Sequence, residues 1–221
     1  MAAVLFDLDE TLIDRNAAVL AFAQAIHRGY CSSGYTESQL VDQVVTCDAY
    51  GYNPREQFFE SVFNHFSDFL PSQQVVEDAF YAEVWETPRL ASNALPILEA
   101  LCAQQIPIAV VSNGSERAQF SKMKHSGLDE FFEVVVVSES LGIKKPDARI
   151  YQTALSQLGA RAEDAWFVGD HPVNDIWGSK QLGFLTGWVH LNRPWSPEVE
   201  PCFDESGSTF DELMAKVLLR L

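Results

Sequence analysis

Residues 4–12 read Val-Leu-Phe-Asp-Leu-Asp-Glu-Thr-Leu: an apolar run that ends in two carboxylates, Asp7 and Asp9, with a hydroxyl following at Thr11. With Ala3 in front, the run suits a strand buried on both faces, the kind found in parallel sheets. The carboxylates then stand where that strand leaves the core, and in open α/β sheets ligands bind beyond the carboxyl ends of the strands. Like charges this close repel unless a cation lies between them or one keeps its proton. A hard divalent metal such as Mg²⁺, which prefers oxygen ligands, resolves the conflict. A polar turn with a helix-capping Thr would produce the same residues, so the rest of the chain must decide.

Downstream, strand and helix patterns alternate. Ile106–Val111 reads as a second strand ending at Ser112-Asn113-Gly114, and Phe132–Val137 as a third. Ala165–Val168 reads as a fourth, ending at Gly169-Asp170, and Leu185–His190 as a fifth. Helical patterns separate them: one opening near Pro96, a polar one reaching Ser126, then Arg149–Leu158 and Val173–Leu182. Asn192–Gly207, acidic and proline-containing, reads as a surface loop, and Phe210–Leu219 as a closing amphipathic helix. This order predicts a Rossmann-like parallel sheet with helices on both faces. From Arg15 to Trp85 the texture differs. Apolar residues recur at helical spacing (Val19, Phe22, Ala23, Ile26; then Phe58, Phe59, Val62, Phe63, Phe66), punctuated by Gly29, Gly34, Gly51, Pro54 and Pro71. The expected division is an α/β core of residues 1–14 and 88–221, interrupted by an all-α cap at 15–87.

Composition narrows the function classes. The chain has 221 residues, 47% of them hydrophobic and 12% aromatic, enough for a packed core with an insert. Its formal net charge of −16 repels nucleic acid and anionic membranes, and it means an anionic substrate needs local cations or a metal. Four scattered cysteines without a Cys-x-x-Cys pair argue against a zinc site or a disulfide framework. His27, His65, His125 and His190 are equally dispersed and suggest no metal cluster. The first residues enter a strand at once, with no signal-like segment, and no apolar run reaches the roughly 20 residues needed to cross a bilayer. A soluble, cytoplasmic protein is expected.

The polar residues fall at strand ends. Asp7 and Asp9, then Ser112 and Asn113, then Asp170 each follow a predicted strand, while Lys144, Lys145 and Pro146 open the helix after the third. Parallel strands all end on one side of a sheet, so these groups converge on one crevice. This ordered set resembles the haloacid dehalogenase (HAD) superfamily, mostly phosphatases with an α/β core and an inserted cap. Its Asp-x-Asp-x-Thr motif is matched by Asp7, Asp9 and Thr11, its strand-end hydroxyl by Ser112, followed by Asn113 and Gly114, and its lysine before proline by Lys145. Its Gly-Asp-x-x-x-Asn-Asp motif is matched by Gly169, Asp170, Asn174 and Asp175.

The resemblance implies a Mg²⁺-dependent phosphatase acting on a small-molecule phosphate ester. Asp7 would be the nucleophile that forms an aspartyl-phosphate, and Asp9 the acid for the leaving oxygen and then the base for water. Mg²⁺ would be held by the Asp7 carboxylate, the Asp9 backbone carbonyl and Asp170, supported by Asp175. Thr11, Ser112 and the amides of Asn113 and Gly114 would receive the phosphoryl oxygens, with Lys145 as a fixed charge. Dehalogenases share the nucleophile but lack an Asp at the position of Asp9, because halide leaves without a proton. A phosphonate-cleaving branch would need a cap lysine, and residues 15–85 contain none. A sugar phosphomutase on the same fold and an inactive phosphate-binding protein also stay open. In the cap, Arg15, Arg28 and Arg55 are candidate cations for a second anionic group, and Tyr30, Tyr50 or Tyr52 candidate platforms for a ring. His171 is a candidate base or a structural group.

Overall fold

The computed structural model describes residues 2–31, 34–51 and 53–221, with the backbone alone at Tyr50. Strand β1 (Ala3–Phe6) leads into helices α1 (Arg15–Tyr30), α2 (Glu37–Asp48), α3 (Arg55–His65) and α4 (Gln73–Phe80). There follow α5 (Ala94–Ala103), β2 (Ile108–Ser112), α6 (Glu116–Ser126), β3 (Val134–Val137), α7 (Ser138–Leu141) and α8 (Ala148–Leu158). The chain closes with β4 (Ala165–Gly169), α9 (Gly178–Lys180), β5 (Leu185–Val189), β6 (Glu205–Gly207) and α10 (Phe210–Leu218). It divides into two compact units, Met1–Asp14 with Leu90–Leu221, and Arg15–Arg89.

In the first unit the strands form one parallel sheet in the order β3-β2-β1-β4-β5-β6. Side chains alternate between its faces, as a strand period of two requires. Val4 and Phe6 of β1, Val110 of β2 and Val168 of β4 pack with Leu98 and Leu101 of α5, Met123 of α6 and Leu213 of α10. Ala3, Leu5, Val111 and Phe167 face the other way, against Ile150, Tyr151 and Ala154 of α8. Both faces are therefore covered, which explains why the strands read as unbroken apolar runs. β1 is central, and the chain winds to one side of it through β2 and β3 before crossing to β4. The β1–β4 boundary is thus a switch point of the sheet, where such folds bind their ligands.

Two expectations need correction. Residues 205–207 are strand, not loop: β6 pairs with β5, with Ser206 beside Trp188. Its Glu-Ser-Gly sequence has no apolar alternation. It pairs there because Gly207 lets α10 press onto it: a Cβ at that position would lie 2.6 Å from the Leu213 backbone nitrogen. Residues 173–182 are not one α-helix either. Pro172–Trp177 adopts a wider π-helical turn, capped by His171, whose Nδ1 accepts from the Val173 and Asn174 amides at 3.1 Å each. A π turn is a recurrent feature of functional sites, and this one carries Asp175.

The second unit is helical, and a π turn at Tyr81–Trp85 extends α4. Phe22, Phe58, Phe59, Phe66 and Phe80 form its core, with Phe22 edge-on to Phe80 at 5.4 Å between centroids. The aromatic stripe of the sequence is thus packing. No helix among the described residues is long and apolar enough to cross a membrane.

Candidate active site

Asp7 is the first residue past β1, and its amide continues the ladder by donating to Val168 O at 2.9 Å. The chain then turns back at once. The amides of Leu12 and Ile13 both donate to Leu8 O, and Glu10 takes a left-handed conformation with φ 64°. Asp7 is consequently held between β2 and β4 with its side chain 9% exposed.

Lys145 reaches this carboxylate from the loop before α8. Its buried ammonium donates to Asp7 Oδ1 at 2.5 Å and to Asp175 Oδ1 at 2.7 Å. The Asn113 side chain grips the Lys145 peptide from both sides: Oδ1 accepts its amide at 2.8 Å, and Nδ2 donates to its carbonyl at 3.1 Å. Asn113 therefore ties the end of β2 to the lysine loop. On the far side, Asp175 Oδ2 accepts from the His171 amide at 2.9 Å. The last residue of β4 must be glycine for this to fit: a Cβ on Gly169 would lie 2.4 Å from Asp175 Cβ.

Asp7, Asp170 and Asp175 each offer a carboxylate oxygen within 4.8 Å of the others. Three such groups are only partly balanced by Lys145 and by Arg193, which donates to Asp170 Oδ2 at 2.7 Å from the loop after β5. The ionisation of the cluster reflects this excess. Burial pushes the Asp7 carboxyl well above the usual carboxylate range, Lys145 opposes it, and Asp175 and Asp170 add to the rise. Burial first, and Asp175 next, lift Asp170 to about 7 against the pull of Arg193. Burial alone would lower the Lys145 ammonium, but Asp175 and Asp7 outweigh it and hold it charged. A hard divalent cation suits this all-oxygen donor set and would supply the missing positive charge. Both Asp175 oxygens already accept hydrogen bonds, so Asp175 fits a supporting part better than direct ligation.

Asp9 points to a different set of partners. Lys122 of α6 donates to both its oxygens at 2.7 Å, and Gln119 Nε2 donates to Oδ2 at 3.0 Å. Its carboxylate is outside the acidic cluster, leaving its backbone carbonyl as the group that could face a metal. Gln119 Nε2 also donates to Ser112 Oγ at 2.7 Å. Because that oxygen accepts, its own hydrogen is left to donate to an incoming anion.

Two expected phosphate contacts are not available as such. Thr11 is fully buried under the Leu8–Ile13 turn, and its Oγ1 takes no hydrogen bond among the described residues. The Gly114 amide donates to Ser138 Oγ at 3.0 Å and is committed within its loop. Neither Thr11 nor Ser112 caps a helix; Ser115 caps α6, accepting from the Ala118 amide at 3.3 Å. His171 is a cap, and burial lowers its pKa. In the helical unit, Arg15 is buried and paired with both oxygens of Asp48 at 2.7 and 2.5 Å. Arg55 lies over the Phe80 ring at 4.4 Å. Both serve the packing of that unit, while Arg28 and Tyr30 are exposed. Tyr52 is outside the described residues.

Gln119, Lys122 and Arg193 are the additions that sequence reading missed. Helical phase is the available signal for the first two: Ala118, Gln119, Lys122 and Met123 form the buried face of α6. Arg193 follows β5 at the same sheet edge as the rest.

A family model described as haloacid dehalogenase-like hydrolase matches residues 4–189. Over 219 residues, 95% of this chain and 91% of the relative, the sequence is 27% identical to the glyceraldehyde 3-phosphate phosphatase of Methanopyrus kandleri. It is 30% identical over 148 residues to the phosphoserine phosphatase of Thermus thermophilus, covering 66% of this chain and 59% of that protein. Among solved structures, the HAD-hydrolase YfnB from Bacillus subtilis, bound to magnesium, matches with a TM-score of 0.77 and 23% identity over 98% of both chains. At that identity the likeness is one of fold.

Proposed function

The chain belongs to the haloacid dehalogenase-like hydrolase family, and within it we propose a Mg²⁺-dependent phosphatase that hydrolyses a small-molecule phosphomonoester through an aspartyl-phosphate on Asp7. The observation that carries the reading is the pairing of two differently held carboxylates. Asp7 sits against Lys145 in the acidic cluster, and Asp9 sits apart on Lys122 and Gln119 beside Ser112.

Asp7 Oδ1 is engaged by Lys145, so Oδ2 is the oxygen that attacks phosphorus. As that bond forms, the bond from phosphorus to the ester oxygen breaks, and Asp9 gives the leaving oxygen its proton. Ser112 and Lys145 bind the phosphoryl group. A water then attacks phosphorus and passes its proton to Asp9, releasing inorganic phosphate and restoring Asp7. Mg²⁺ would be held by the Asp7 and Asp170 carboxylates and the Asp9 carbonyl, with Asp175 behind them, and supplies the charge that lets a phosphate dianion approach. Halide leaves without a proton and would give Asp9 nothing to do as an acid, so dehalogenation fits this arrangement less well.

The two named relatives act on glyceraldehyde 3-phosphate and phosphoserine, small phosphomonoesters of the class proposed. Four free cysteines suit a reducing, cytoplasmic setting. The test is phosphate release from a metabolite panel and from p-nitrophenyl phosphate. Turnover is expected with Mg²⁺, lost with EDTA and lost in Asp7→Asn. A folded, Mg²⁺-loaded protein that releases no phosphate from any of them would overturn the reading.

A further inference from the structure

Lys122 is the residue whose placement the family motifs leave unexplained. It stands on a polar helix, yet its side chain is 5% exposed. Its ammonium has three N–H donors and three acceptors in reach: both Asp9 oxygens at 2.7 Å and Gln119 Oε1 at 2.9 Å. Gln119 is equally enclosed and completes a closed circuit. Its Nε2 touches Asp9 Oδ2 at 3.0 Å, Ser112 Oγ at 2.7 Å and Asn113 O at 3.2 Å. The loop is pressed onto it, since a Cβ on Gly114 would lie 2.9 Å from Gln119 Nε2. Asp9 itself is 23% exposed, on a turn whose neighbours Leu8, Thr11 and Leu12 are buried.

We infer that Lys122 and Gln119 are positioning residues: together they fix the Asp9 carboxylate, so that the group passing the proton meets the leaving oxygen of the bound ester. The inference rests on the phosphatase reading. Charge-assisted contacts to both carboxylate oxygens are stronger than neutral ones and define the plane of the group. Gln119 carries that definition across to β2. Misplacing a reacting group by an ångström costs on the order of 100-fold in rate, and here the loss falls on proton delivery alone.

Leaving-group dependence tests this. A nitrophenolate departs with little help, whereas phenolate needs the proton. Lys122→Met and Gln119→Ala are compared with wild type on substituted phenyl phosphates, from p-nitrophenyl to phenyl, by kcat/KM with saturating Mg²⁺. With p-nitrophenyl phosphate the variants should stay within about threefold of wild type; with phenyl phosphate they should fall by about 10- to 100-fold. Lys122→Arg should recover most of the loss. Gln119→Ala keeps the Lys122–Asp9 ion pair and serves if Lys122→Met does not fold. An equal fall on every phosphate, or no fall on any, would overturn the inference while leaving the phosphatase reading intact. A wild type inert on the whole series overturns both.

Discussion

Replacing Lys145 with Met keeps the length of the side chain and removes the ammonium that touches Asp7 and Asp175 at 2.5 and 2.7 Å. The three side chains are 2%, 9% and 2% exposed, so water cannot take its place. Removing one partner of a buried ion pair costs about 3–5 kcal/mol. Two carboxylates would then share a dry site with Asp170 close by, which favours the upper end. At about 2–4 °C per kcal/mol for a chain of this size, Tm falls by roughly 6–20 °C. The loss depends on pH in a definite direction. Burial, ahead of its neighbours' charges, already raises the Asp7 carboxyl, and Lys145 restrains the rise. Without Lys145 the rise grows. An acid whose folded pKa lies above its unfolded value destabilises the fold at high pH, and that cost fades as pH falls through the folded pKa. Lys145→Met should therefore lose more stability at about pH 8 than at about pH 6. Urea unfolding with EDTA at both pH values measures it. A variant as stable as wild type at the higher pH, or one with the same loss at both, would refute the part given to Lys145.

Three further outcomes follow from the same geometry. Asp170, lifted to about 7 by burial and then by Asp175, costs the metal-free fold up to about 4 kcal/mol when it is ionised. Asp170→Asn should raise Tm in EDTA above neutral pH, lose that advantage toward acid pH, and abolish the rise in Tm expected of the wild type with Mg²⁺; a Tm below wild type in EDTA would contradict this. Gly169→Ala puts a Cβ 2.4 Å from Asp175 Cβ and should cost roughly 1–3 kcal/mol by overpacking, read by urea unfolding, with weakened Mg²⁺ binding by calorimetry. Arg15→Met breaks the buried pair with Asp48 and should cost the helical unit about 3–5 kcal/mol. Amide exchange in α1 and α2 should quicken while β1, β2 and β4 keep their protection.

Much of the sheet is legible in the sequence because its strands are buried on both faces. β1, opening at Ala3, Ile106–Val111 and Ala165–Val168 read as apolar runs, and Asp7, Ser112 and, past Gly169, Asp170 emerge at the shared edge. β6 is not legible, because Glu-Ser-Gly carries no periodicity and pairs only where Gly207 admits α10. The π turn at 172–177 escapes for a related reason: Val173, Ile176 and Lys180 fit a helix period whether the turns are regular or wide. Asp7, Asp170 and Lys145 stand at strand ends or in a motif, where position along the chain fixes position in space. Lys122 and Gln119 depend on which face of a polar helix turns inward. Lys124 stands two residues from Lys122 on the same helix and faces outward. Only the phase of Ala118 and Met123 separates the two lysines. Sequence does not say which cap arginine is buried, because a charge in an insert is as easily paired with a neighbour, as Arg15 is with Asp48, as aimed at a ligand.

The central claim is that Asp7 itself carries the phosphoryl group. Wild type and Asp7→Asn are mixed with Mg²⁺ and a phosphate ester that the panel shows to be turned over, quenched in acid within one turnover, and analysed as intact protein and as peptides by mass spectrometry. Wild type should gain the mass of one phosphoryl group on the peptide containing Asp7, and Asp7→Asn should gain none and release no phosphate. Phosphate release that continues in Asp7→Asn, or a phosphoryl group carried on any other residue, would contradict the account.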